Sequence, residues 1–389
     1  MIKTSRIWVL AALTLGLLAL SCKPDTPEPE PQPKPKKTPE EQLAAMTLRE
    51  KIGQLFIVRP EAIEWSVDWN ATSMTSYRLM AITDSMKKTL KEYPIGGLII
   101  YAHNISNPGQ LTALTRSIHD LGMLVCIDEE GGSVARIGRN DNFNVKTYTS
   151  MADIGATGDP KNAYECGNTI GKYLKEYGID INFAPVADVN TNPENIVIGK
   201  RAFSDDPAVA APMVTNYLQG LKDAGIVGCI KHFPGHGDTK ADTHYGYAQS
   251  LKTWQQMLEC EMITFMEGIK WGAQLIMTAH IAAPNVTGNE DPSTMSPVIL
   301  QDKLRGELGY RNIIITDSME MGAITRQYTP AESAVGCIKA GADIFLGTMN
   351  LKECFDALVA AVQSGEIPES RIDESVLRVL YLRAQLLGN

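Results

Sequence analysis

Three of the six histidines in this 389-residue chain, His232, His236 and His244, stand within thirteen residues, in the run from Lys231 to Gly246. Imidazole is the side chain whose charge changes near neutral pH, so such a cluster suits proton transfer or metal binding. The run follows the apolar stretch 226–230, which reads as a buried strand. Titratable groups thus leave a strand end onto a Gly- and Pro-rich loop, where they can reach a ligand. Asp242 and His244 lie two residues apart on it. A bent backbone brings that carboxylate to the ring, orients it and stabilises its protonated form, which makes a usable acid. Gly235, Gly237 and Gly246 suit a segment that closes over substrate. Asp317, the last residue of a second apolar run, is either a helix N-cap or an ionised nucleophile facing that acid. His232, His236, Asp238, Asp242 and His244 could also ligate a metal. The four-residue interval from His232 to His236 helps only on a helix, which Phe233-Pro234-Gly235 forbids, and Lys231 adds positive charge beside any cation. No metal and no cofactor are expected.

These groups need a scaffold. Short apolar runs at 55–58, 97–101, 124–128, 182–188, 227–232, 275–280, 313–317 and 343–346 read as strands. Their near-continuous Val, Ile and Leu content suits parallel strands buried on both faces. Amphipathic stretches at 206–224, 253–271 and 329–340 separate them, and a last helix is expected over about 374–386 with Asp373 as its N-cap. Eight strand–helix units predict an α/β protein, a (β/α)8 TIM-type barrel in one catalytic domain over 40–389. The rival, an open doubly wound sheet, lacks a G-x-G-x-x-G after the first strand. Asp128, Asp188, Lys231, His232, His280 and Asp317 all fall at C-terminal strand ends, the rim where barrel loops converge.

The chain before the barrel has a different character. Lys3 and Arg6 precede an apolar stretch at 7–20 that is short for a bilayer and proportioned like a secretory signal. Residues 1–22 resemble a bacterial lipoprotein signal ending at Cys22, with Ala19 in place of the usual apolar residue; the alternative is an ordinary cleaved signal. Residues 23–39 carry seven prolines among charges, an extended polyproline tether. The expected product is exported, lipid-anchored to a bacterial membrane through Cys22, periplasmic or at the cell surface, and monomeric. A formal charge of −9 argues against nucleic acid as a partner. Cys126 and Cys229 lie inside apolar runs, and the cysteines after Cys22 read as small buried hydrophobes. Trp65 and Trp69 could line an outer subsite or pack in the core.

Several stretches closely resemble the N-terminal barrel of family 3 glycoside hydrolases, in particular its β-N-acetylglucosaminidase branch. They are MTLREKIGQL at 46–55, DEEGG at 128–132, NFAPVADVN at 182–190, IGKRAFS at 198–204, the Lys231 to Gly246 run, and ITDSM at 315–319. The resemblance implies a retaining exo-β-N-acetylglucosaminidase with Asp317 as nucleophile, His244 as general acid/base and Asp242 as its partner. It also implies that Asp128, Arg136, Arg201, Lys231 and His232 hold the sugar in the −1 subsite. The family's β-glucosidases usually take their acid from a second domain, whereas here the Asp-x-His loop supplies it. Glu129 stands where glutamine is commoner, and Ala202 and Thr243 replace frequent serines. An imidazole in place of a second carboxylate repels an anionic acceptor less, which keeps phosphorolysis open. A non-catalytic glycan-binding lipoprotein is the other alternative, against which the joint presence of Asp242, His244 and Asp317 speaks. Preference for an N-acetyl group rests on the resemblance alone, and peptidoglycan fragments, chitin oligomers and host glycans all remain candidate substrates.

Overall fold

The structure, a computed structural model, describes residues 37–70, 72, 77–239 and 248–387. Cys22, the signal and most of the tether, and also Asp242 and His244, lie outside the described residues. Eight parallel strands run β1 Phe56–Val58, β2 Gly97–Ile100, β3 Leu124–Ile127, β4 Ile181–Asn182, β5 Val227–Phe233, β6 Leu275–Thr278, β7 Ile313–Ile315 and β8 Phe345–Leu346. Each pairs with its chain neighbour, β8 pairs with β1, and a parallel bridge from Ile315 to Ile344 closes β7 on β8. This is the expected (β/α)8 barrel.

Strand side chains alternate between two cores. Ile57, Ile99, Cys126, Ile181 and Cys229 fill the barrel interior, while Phe56, Val58, Leu98, Ile100, Val125 and Ile127 face the surrounding helices. A period of two is what a strand buried on both faces requires. Six free cysteines are described, and five of them are buried.

Some boundaries differ from expectation. The fourth strand, expected over 182–188, pairs only at Ile181–Asn182 and again through Val186, because Pro185 has no N–H to offer the ladder. The 253–271 stretch is two helices, Trp254–Leu258 and Glu261–Trp271. Pro39, assigned to the tether by composition, is the first residue of the helix Pro39–Ala45, which Thr38 and Glu41 close with a capping box. The last helix is Glu369–Leu387, so Asp373 is not its N-cap but lies a turn inside and pairs with Lys51 at 2.7 Å.

That helix closes the lower end of the barrel. Val379 and Leu382 pack into the interior core, and Arg378 donates to Asp343 at 2.8 Å. The buried Asp343 carboxylate also accepts from Arg305 at 2.5 Å, Ser375 at 2.6 Å and the Ile314 N–H at 2.9 Å. It therefore joins β7, the start of β8 and the closing helix. Asp343→Ala takes the carboxylate away from three guanidiniums, those of Arg305, Arg371 and Arg378, of which Arg378 keeps Glu374 at 3.8 Å, and we expect a loss of about 3 kcal/mol in urea unfolding. A loss within the ±0.5 kcal/mol or so of an ordinary surface change would show that the network carries little of the fold.

Candidate active site

A cavity of about 570 Å³ opens at the C-terminal ends of the strands. Asp128, Arg136, Arg201, Lys231, His232 and Asp317, all expected in the site from sequence, line it together. Asp242 and His244 lie outside the described residues.

Local backbone explains why neighbours on one strand share the cavity. Lys231 and His232 would point to opposite faces of a regular strand. Opposite β6, however, Lys231 pairs with Met277 and Phe233 with Thr278, a bulge that leaves His232 without a partner. Both polar side chains then face the mouth, while Phe233 turns outward onto Phe265 with ring centroids 5.3 Å apart. Alternation works normally past the end of β3. Asp128 and Glu130 face the cavity, and Glu129 points away beneath the following loop.

Asp188 and the polar lining residues form one connected chain. Asp188 accepts from His232 Nδ1 at 2.7 Å. His232 Nε2 lies 3.4 Å from Arg201 Nη2. Arg201 grips Glu130 with two bonds of 2.9 and 2.7 Å. Glu130 also meets Lys231 Nζ at 2.6 Å, and Lys231 reaches Asp128 at 2.9 Å. Asp128 in turn lies 3.5 Å from Arg136 Nη2. Both nitrogens of His232 are thus committed within the protein, and among the described residues no group of three or more His, Cys, Asp or Glu is arranged to hold a metal ion.

This arrangement sets the charge states. Burial would raise the Glu130 carboxyl, but Arg201 and Lys231 outweigh it and hold it far below the usual carboxylate range. Burial likewise works against the Lys231 ammonium, yet Asp128 and Glu130 raise its pKa. Asp317 opens onto the cavity floor. Burial opposes its ionisation, but the charges of His232 and His280, a 2.7 Å hydrogen bond from the Ser318 N–H and the charge of Lys231 lower its pKa. It is not an N-cap. The next helix, Gly322–Thr325, begins after Met321 and has no side-chain cap.

Glu130 is the member that sequence reasoning left out; Asp188 was placed on the rim without a role in the site. A signal existed for Glu130: Arg136, Arg201 and Lys231 are three cations, and Asp128 alone could not balance them in a buried setting. Glu129, the departure from the family pattern, is wholly buried. It accepts from the backbone N–H groups of Arg136, Ile137 and Gly138 and from the Tyr173 hydroxyl. It shapes the loop that carries Arg136 and does not touch the rim. On the far wall, Arg59 donates to Glu320 at 2.7 Å, and the Tyr101 ring lies 5.7 Å from the Arg59 guanidinium and 5.9 Å from that of Arg136. Trp65 and Trp69 do not line the cavity; Trp65 packs against Tyr93, and Trp69 donates to the Glu64 carbonyl.

Comparison with known proteins agrees with this geometry. Residues 47–382 match the glycosyl hydrolase family 3 N-terminal domain. The chain is 31% identical over 340 residues to β-hexosaminidase A of Pseudoalteromonas piscicida, covering 79% of this chain and 56% of that protein. It is 28% identical to a β-hexosaminidase of Mycobacterium tuberculosis, covering 92% and 89% respectively. A solved family 3 β-N-acetylglucosaminidase from a Paenibacillus species superposes with a TM-score of 0.80 at 35% identity, covering 88% of this chain and 63% of that one. The chain thus spans less than two thirds of some relatives and most of others.

Glu130→Gln removes the charge between Arg201 and Lys231. Because the folded pKa of Glu130 is depressed, its contribution to stability is present above the unfolded value, near 4.5, and is lost as pH falls toward the folded one. The variant is expected to be less stable than the parent by a constant margin from pH 7 to about 5, narrowing only at lower pH. Urea titrations at stepped pH check this. A margin that widened on acidification would contradict the assignment.

Proposed function

Because the chain belongs to glycosyl hydrolase family 3, we propose that it is a retaining exo-β-N-acetylglucosaminidase that releases terminal β-linked GlcNAc through a covalent glycosyl-enzyme. The observation that carries the reading is Asp317, held ionised by its surroundings at the floor of a cavity lined with fixed donors and acceptors. In this proposal the Asp317 carboxylate attacks the anomeric carbon while His244 protonates the departing oxygen. A water deprotonated by His244 then attacks the same carbon and frees Asp317, so the sugar leaves with its configuration retained. Asp242 orients the imidazole and stabilises its protonated form. Arg136, Arg201 and Lys231 donate to sugar hydroxyls, and Asp128 accepts from them. His232 is already held by Asp188 and Arg201, and its contribution is to keep Arg201 in place and Asp317 ionised. Preference for the N-acetyl sugar is supported by the relatives named as β-hexosaminidases and β-N-acetylglucosaminidase. Export and lipid anchoring at Cys22 are part of the proposal, on the sequence of residues 1–39.

Two substitutions test the chemistry with 4-nitrophenyl-GlcNAc and a GlcNAc disaccharide. Asp317→Asn should reduce turnover of both by at least about 1,000-fold, since no nucleophile replaces it; undiminished activity refutes the role. His244→Ala should reduce disaccharide hydrolysis by about 100- to 10,000-fold, and hydrolysis of the aryl glycoside far less, because its leaving group needs little protonation. Equal losses on the two substrates would refute the acid. Prior chelation with EDTA should leave the rate unchanged.

A further inference from the structure

Four consecutive backbone carbonyls precede the segment that carries Asp242 and His244, and all four accept hydrogen bonds from two asparagines of the loop after β4. Asn195 Nδ2 donates to the His236 carbonyl at 2.7 Å. The backbone N–H of Asn192 donates to the Gly237 carbonyl at 3.1 Å. Asn192 Nδ2 donates to the carbonyls of Asp238 at 3.3 Å and Thr239 at 3.1 Å. The backbones meet closely here: a Cβ at Gly237 would stand 1.8 Å from the Val189 carbonyl oxygen, so no larger residue fits.

The opposite ends of the two amides are also occupied. Asn195 Oδ1 accepts from the N–H groups of Val197 at 3.0 Å and Ile198 at 2.8 Å, and Asn192 Oδ1 accepts from that of Glu194 at 3.0 Å. Val197 in turn offers its carbonyl to Arg201 Nη1 at 3.0 Å. The far end of the segment is tied down as well. Ala248 pairs with Ile281 and Gln249 with Ala282, and the Ser250 hydroxyl donates to Asp238 Oδ2 at 2.6 Å, joining the two ends. Asn195 is 3% exposed, so its bond to the His236 carbonyl is shielded from water.

We infer that Asn192 and Asn195 are positioning residues for the proton donor: they fix where the Asp242–His244 segment leaves the barrel and tie that point to the loop that holds Arg201. The inference rests on His244 being the acid. Only an amide serves at these positions, because one side chain must donate to one loop and accept from the other. Aspartate keeps the acceptor and loses the donor, so Asn195→Asp cuts the link to residue 236 and leaves the Val197 and Ile198 contacts in place.

The test is a leaving-group comparison on the full chain, with 2,4-dinitrophenyl-GlcNAc and phenyl-GlcNAc. Asn195→Asp should lower kcat about 10- to 100-fold on the phenyl glycoside, because an acid displaced by even about 1 Å loses much of its effect. It should change kcat little on the dinitrophenyl glycoside, with KM near the parent value on both. In a His244→Ala background the same substitution should add nothing to the loss on the phenyl glycoside. A uniform loss on both glycosides, a loss that multiplies with that of His244→Ala, or no loss at all would overturn the inference. A His244→Ala variant with no leaving-group dependence sinks the acid assignment beneath it. A steep His244→Ala profile beside a flat Asn195→Asp one sinks this inference alone. Should Asn195→Asp not fold, Asn192→Asp is measured in its place; it removes the donors to Asp238 and Thr239 and is held to the same outcomes.

Discussion

The site depends on one buried carboxylate standing between two cations. Arg201 and Lys231 both sit deep at the barrel mouth, where an unpaired charge would cost several kcal/mol, and Glu130 meets both within 2.7 Å. Their positions are therefore set by the protein before any sugar arrives. The same bonds fix what each cation has left to offer. Arg201 spends one edge on Glu130 and another N–H on the Val197 carbonyl. Lys231 divides its ammonium between Glu130 and Asp128. A ligand meets donors already aimed, with little side-chain entropy left to lose.

The barrel delivers this arrangement through two small rules of strand geometry. Alternation past the end of β3 sends Asp128 and Glu130 into the mouth and Glu129 behind it, where its carboxylate organises the turn that presents Arg136. A bulge in β5 breaks alternation and turns Lys231 and His232 to the same side. Tyr217, wholly buried, donates to the carbonyls of both Glu129 and Glu130, which fastens that strand end from the helix side. Fold and site are thus coupled at the strand termini, where the regular ladder ends and side chains still have a rigid base.

Much of this was legible in the sequence because its signals are local. Continuous apolar runs marked all eight strands, and polar residues at the ends of five of them marked the rim. The limits appeared where a local signal was passed over or a tertiary partner decided the outcome. The last helix starts a turn earlier than Asp373 suggested: Pro368 and Glu369 are local start signals that the choice of Asp373 passed over, and Lys51 steadies the first turn from the other end of the domain. The irregular fourth strand was signalled by Pro185, yet the surrounding apolar residues outweighed it in the reading. Glu130 was visible as a residue and not as a role, because its meaning comes from Arg201 and Lys231, far along the chain. The clamp by Asn192 and Asn195 is of the same kind: asparagine in a loop suggests a turn, and only the neighbouring loop shows what the amides hold.

The charge pattern also explains why the proposed acid should come from a loop and not from the cavity floor. Groups that keep Asp317 ionised are cations and hydrogen-bond donors, and they disfavour protonation of anything beside them. His236 illustrates this. It lines the cavity and approaches His232 with ring centroids 6.1 Å apart. Burial lowers its pKa, and the Asp188 carboxylate only partly opposes that, because it binds the His236 backbone N–H and not the ring. Such an imidazole is neutral near pH 7 and makes a poor proton donor. A ring that is to stay protonated there needs a carboxylate of its own, held apart from the cations of the floor. In the proposed mechanism Asp242 fills that need for His244, two residues away on a segment both of whose ends are bonded to the barrel. Nucleophile and acid are then tuned in opposite directions by separate neighbours, which two groups sharing one electrostatic environment could not achieve.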